Sequence, residues 1–78
     1  MVTAYVMLNC DLGAEADVIE ELQGIEQTVE VFETIGTHDV MVKIQAENFE
    51  KIREVISWNI QSIKKIRSTV TLIKKENP

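Results

Sequence analysis

The residues best suited to chemistry stand together at Gly36-Thr37-His38-Asp39, between two runs of alternating hydrophobicity. A glycine lets a turn bring its backbone N–H groups close to an anion, and a carboxylate in the same turn accepts from an ammonium group. Together they suit a small polar ligand. The same two residue types also build an ordinary Asx turn around a positive φ, so spacing alone leaves both readings open. A second set of polar groups, Ser68, Thr69 and Thr71, lies near the C-terminus. Their hydroxyls would complete a polar site, although threonines are equally common as strand formers on a half-exposed face. Glu33, three residues before Gly36, is a further candidate for contacting a basic ligand side chain.

Other reactive side chains are sparse. His38 is the only histidine and Cys10 the only cysteine, which argues against a metal staple, and a lone cysteine cannot form a disulfide within one chain. Cys10 ends an apolar alternation and reads as a small buried hydrophobe with no base to activate it. His38, alone in a turn, reads as a solvated side chain. No nucleophile is paired with a base by spacing, so the chain reads as a non-enzyme that needs no cofactor.

The elements that position these residues follow from periodicity. Val29, Val31 and Ile35 alternate before the turn, and Val40, Val42 and Ile44 after it, which predicts a hairpin of strands over about 28–35 and 39–46. Residues 2–10 alternate in the same way and predict a first strand. From Ala14 to Gln23 the period changes: Val18, Ile19, Leu22 and Ile25 share a helical face, acids point outward, and Gly24 sits where a helix should end. A second helix follows Ala46-Glu47-Asn48, with a stripe of Phe49, Ile52, Val55 and Ile56 that extends to Ile60; Trp58 falls off this stripe. Residues 66–74 alternate again, Ile66, Ser68, Val70 and Leu72 against Arg67, Thr69, Thr71 and Ile73. The order βαββαβ with right-handed crossovers implies an α+β, ferredoxin-like fold, a four-stranded antiparallel sheet with both helices on one face.

A chain of 78 residues is one domain, and at this size only about 60–65% of the unfolded surface is buried, so a single core is marginal. One sheet face has nothing to cover it, and Tyr5, Met7, Val29 or Phe32, Met41 and Ile73 are expected there. Stacking a second copy on that face would supply the missing burial, so a homo-oligomer, at least a dimer, is expected. The net charge of −5 is uneven: nine acidic residues and no Lys or Arg precede residue 40, and eight Lys plus Arg with four acidic residues follow. The acidic half would repel a polyanion. Lys64, Lys65 and Arg67 lack aromatic neighbours for base stacking, which speaks against direct nucleic-acid binding. No apolar run is long enough for a membrane span, and the N-terminus lacks signal-peptide character, so a cytoplasmic location is expected.

The βαββαβ order, the Gly36-Thr37-His38-Asp39 turn followed by Val-Met-Val-Lys-Ile, and the strand from Ile66 to Ile73 together resemble the effector-binding module of the Lrp/AsnC family of bacterial and archaeal transcription regulators. The resemblance covers nearly the whole chain. In that family the module, called RAM, follows a helix-turn-helix domain, binds amino acids or related metabolites, and assembles dimers into octamers or larger rings. The resemblance implies that residues 1–78 form one RAM-like domain without a DNA-binding domain, able to join a full-length regulator by co-assembly. It also implies a ligand site between dimers. Gly36, Thr37, His38 and Asp39 would line it from one side, and Ser68, Thr69 or Thr71 from the other. His38 departs from the family pattern, which more often has an aromatic residue before the Asp, and this bears on ligand identity. Two alternatives share the fold: a small dimeric α+β-barrel monooxygenase or isomerase without cofactor, and an ACT-like regulatory domain.

Overall fold

Alternation along residues 2–10 becomes a central strand because Ala4, Val6, Leu8 and Cys10 are buried on one side while Tyr5, Met7 and Asn9 stay partly open on the other. In the computed structural model, which describes residues 1–75, this strand is β1 (Val2–Cys10). It is followed by α1 (Glu15–Gln23), β2 (Thr28–Glu33), β3 (Val40–Ala46), α2 (Phe49–Glu54), a π-helical continuation of α2 (Val55–Ile60), and β4 (Ile66–Ile73). All neighbouring strands pair antiparallel in the order β2-β3-β1-β4. This is the expected α+β arrangement of βαββαβ order.

Local chemistry sets the helix ends. Glu15 and Asp17 sit in the first turn of α1, where acids complement the helix dipole. Gly24 closes that helix in a right-handed conformation, its N–H donating to the Glu21 carbonyl at 3.2 Å. The Thr28 hydroxyl then donates to the Leu22 carbonyl at 2.7 Å and ties β2 to the end of α1. At the start of α2, the Asn48 side chain accepts from the Lys51 N–H at 2.9 Å, an N-cap of the usual kind. Val18 and Leu22 of α1 meet Ile52, Val55 and Ile60 over Val6, Leu8, Val42 and Ile44 in one apolar core.

Three departures from the periodicity concern the second helix and β4. Phe49, expected in the buried stripe, is 50% exposed; the stripe begins one turn later at Ile52. The second helix widens into a π-helix, with the Gln61 N–H donating to the Ile56 carbonyl at 2.9 Å. Val55 and Ile60 stay buried in this segment and Trp58 is left 78% exposed. The third departure concerns β4. Asn9 pairs with Ser68 and Cys10 with Ile66, so Arg67 is an extra residue in a β-bulge. Residues directly opposite in antiparallel strands share a face. Thr69, Thr71 and Ile73, opposite Leu8, Val6 and Ala4, therefore lie on the helix side, and Ser68, Val70 and Leu72 on the open side. Ile73 is thus not part of the open face, and Ile66 sits with the core instead.

The open face consists of Tyr5, Met7, Phe32, Met41, Val70 and Leu72 among polar residues. Lys43 lies over the Tyr5 ring at 5.9 Å. A shift of register between Thr28 and Glu30 bulges Val29 out of the β2 alternation, so Phe32, opposite Met41, takes the place on this face. Between the acidic and basic halves of the chain, Lys65 Nζ meets Asp17 Oδ2 at 2.6 Å, joining the turn before β4 to α1. No helix among the described residues is long and apolar enough to cross a membrane.

Candidate ligand-binding site

Three segments remote in sequence end at the same edge of the sheet: the last residues of β1, the β2–β3 hairpin and the first residues of β4. The hairpin is fastened to β1 through its own backbone, the Asp39 N–H donating to the Leu8 carbonyl at 2.9 Å. Within the hairpin, Thr34 closes the loop twice. Its N–H donates to the Asp39 carbonyl at 2.8 Å and its hydroxyl to the His38 carbonyl at 2.7 Å. Gly36 has φ +141°, a backbone state that L side chains rarely adopt, which explains why glycine stands there.

The Asp39 carboxylate reaches across to β1. Its Oδ2 accepts from the Cys10 N–H at 3.0 Å, at the point where the bulge breaks the β1–β4 ladder. The carboxylate thus satisfies a main-chain donor on the β3 side of β1, just past Leu8–Val40, the last pair of the β1–β3 ladder. Burial, and next the negative charge of Asp39, push the Cys10 thiol up from its ordinary value. A thiol so held is a poor nucleophile. Beside it, Asn9 Nδ2 donates to Ser68 Oγ at 3.4 Å on the open side of the β1–β4 pair.

These residues line an open cleft of about 460 Å³ formed by Asn9, Cys10, Thr37, Asp39, Arg67 and Ser68. The size lies within the range of about 300–1,000 Å³ usual for small-molecule sites. Of the residues singled out in the sequence, Thr37, Asp39 and Ser68 meet here. Gly36 and His38 lie outside the lining; the His38 ring contacts the Thr37 hydroxyl at 3.4 Å on the exposed turn. Thr69 and Thr71 are also outside, since their partners in β1 place them on the helix side of the sheet. Glu33 pairs with Val40 at the end of β2 and is likewise no part of it. Asn9 and Arg67 line the cleft without having been marked by the sequence. Asn9 is an unremarkable polar position of β1, and Arg67 arrives there because of the bulge. A larger cleft of about 550 Å³ lies at the opposite end of the strands, around Glu26, Gln45, Glu47 and Lys51. It gathers none of the residues of the turn or of β4.

The description "Lrp/AsnC ligand binding domain" belongs to the family whose sequence model matches residues 3–78. The chain belongs to the Lrp/AsnC family. Regulatory protein AsnC of Haemophilus influenzae is 33% identical over 61 residues, covering 78% of this chain and 41% of that protein. The HTH-type transcriptional regulator FL11 of Pyrococcus abyssi is 33% identical over 70 residues, covering 90% of this chain and 46% of that protein. The chain therefore spans less than half the length of these regulators. Among solved structures, FFRP-DM1 superimposes with a TM-score of 0.93 at 27% identity, covering 96% of this chain and 100% of that one. The Lrp/AsnC resemblance read from the turn and the last strand is thus borne out, and so is the fold.

Proposed function

We propose that this Lrp/AsnC chain is a non-enzymatic module that binds an amino acid or a closely related metabolite in the cleft at Asp39. It pairs with copies of itself through the open face of its sheet and so modulates the assembly of regulators of its family. The observation that carries this reading is the convergence of Thr37, Asp39 and Ser68, from distant parts of the chain, on one polar cleft of metabolite size. A carboxylate there accepts an ammonium group, and the hydroxyls of Thr37 and Ser68 supply orienting hydrogen bonds. The apolar open face supports the assembly half of the proposal. Phe32, Val70 and Leu72 are about half exposed, and Tyr5, Met7 and Met41 join them in a band that a second sheet would cover. The relatives carry the names of transcription regulators, which supports the regulatory setting. An enzyme on this fold would want its histidine in a pocket, whereas His38 sits on the exposed turn against Thr37.

The test is a melting scan of the purified protein with each of the twenty amino acids, followed by light scattering to monitor assembly. At least one amino acid raises Tm in the wild type and alters the scattering mass. Asp39→Asn, which removes the charge but keeps an oxygen acceptor for the Cys10 N–H, abolishes that rise. A wild-type protein indifferent to all twenty, or an Asp39→Asn variant that responds unchanged, refutes the binding proposal.

A further inference from the structure

We propose that Arg67 is the carboxylate anchor of the cleft, so that the ligand is a free α-amino acid gripped at both charged ends, its ammonium by Asp39 and its carboxylate by Arg67. This rests on the reading of the cleft as an amino-acid site and goes on to name the group that selects the ligand class. The first observation is the bulge. With Asn9 opposite Ser68 and Cys10 opposite Ile66, Arg67 has no partner on β1, and its side chain is re-aimed to line the cleft alongside Ser68. The second is charge. Among the lining residues Asp39 is the one anion and Arg67 the one cation, yet they do not pair with each other. The ion pairs found among the described residues are Arg53 with Glu50 and Lys65 with Asp17. Opposite charges that line one open cleft without closing on one another are complementary to a neutral zwitterion placed between them. A ligand bearing only one sign of charge would leave one of the two groups uncompensated.

The third observation is that, of the turn whose N–H groups are the other candidates for holding a carboxylate, Gly36 and His38 lie outside the cleft and only Thr37 and Asp39 line it. The guanidinium is the strongest carboxylate partner left on the cleft wall. It offers a planar fork of donors that matches a carboxylate in two parallel hydrogen bonds. Asp39 keeps capacity for the ammonium end, because the Cys10 N–H occupies Oδ2 and a carboxylate has a second oxygen.

The experiment compares three probe sets by calorimetric titration: the twenty free amino acids, their α-carboxamides, and their N-acetyl derivatives. The wild type is expected to bind its preferred free amino acid at least about tenfold more tightly than the matching carboxamide. Arg67 is exposed, so Arg67→Gln leaves the fold and its circular dichroism unchanged. That variant is expected to weaken the free amino acid at least tenfold and to bring it level with the carboxamide, while Arg67→Lys keeps part of the preference. If Arg67→Gln retains the full wild-type preference for the free acid, the assignment of Arg67 is overturned while the amino-acid reading of the cleft stands. If the wild type binds only N-acetyl amino acids, and Arg67→Gln loses them, the zwitterion is overturned and the anchor is upheld. No binding from any of the three sets overturns both.

Discussion

Asp39 has one task in this structure and a second in the function proposed above, and substitutions separate them. Its Oδ2 satisfies the Cys10 N–H just past the end of the β1–β3 ladder, so Asp39→Ala leaves a part-buried main-chain donor without its acceptor. The cost is about 1–3 kcal/mol, read as a lowered urea midpoint at unchanged m-value. Asp39→Asn retains an oxygen and is expected to lose less than half as much, while the proposed amino-acid response is expected to vanish. A common loss of stability in the two variants would show that the charge, rather than the acceptor, holds β1. At this scale the sequence was readable in part. Asp39, Thr37 and Ser68 were found because a Gly-bearing turn between two alternating runs and a hydroxyl-rich strand are local signals. Arg67 carried no such signal. Its place depends on a bulge between strands whose residues lie more than fifty positions apart, and periodicity along one strand cannot register that.

Among the elements, α1 and the turn before β4 are joined by Lys65 and Asp17, and the pair has a definite pH signature. The hydrogen bond from Lys65, and next its charge, hold the Asp17 carboxyl below its ordinary value. The same hydrogen bond and the charge of Asp17 hold Lys65 above its own. Asp17 then stabilises the fold above its unfolded value, about 3.9, and loses this as pH falls through its depressed folded value. Lys65 stabilises it below about 10.4, and loses this as pH rises through its elevated folded value. The difference in stability between wild type and Asp17→Asn, followed by urea melts across pH, should be flat from about pH 5 to 10 and shrink toward either extreme. Both groups are solvent-exposed, so added salt should diminish it throughout. A difference that keeps growing with acid would contradict this pairing. The four strands and two helices were legible because their periods of 2 and 3.6 persist over whole segments. The π-helical turn was not, because Val55, Ile56 and Ile60 fit an apolar stripe on either kind of helix. The two faces of β4 were exchanged for a related reason: an extra residue in a strand reverses the side to which every later side chain points.

For the whole molecule, the open sheet face sets the expected oligomeric behaviour. Replacing Met41 and Leu72 together by Lys puts two charges into the middle of that face and should raise the self-dissociation constant at least a hundredfold, measured by sedimentation over a dilution series. The double variant should also lose the dependence of Tm on protein concentration that an associating wild type shows. A wild-type chain that sediments as a single copy at every concentration would refute the assembly proposal. The bare side was legible from length and alternation, since so small a chain has too few elements to cover both faces of its sheet. Which residues occupy that side required the register. The same strand that presents Tyr5 and Met7 to this face carries, at its far end, the Cys10 amide clasped by Asp39. In the proposed assembly β1 would thus join the face covered by a second copy to the tip held by the Asp39 carboxylate. If ligand binding at that tip favours packing of a second copy on the open face, reciprocity requires the packed copy to tighten ligand binding by the same factor.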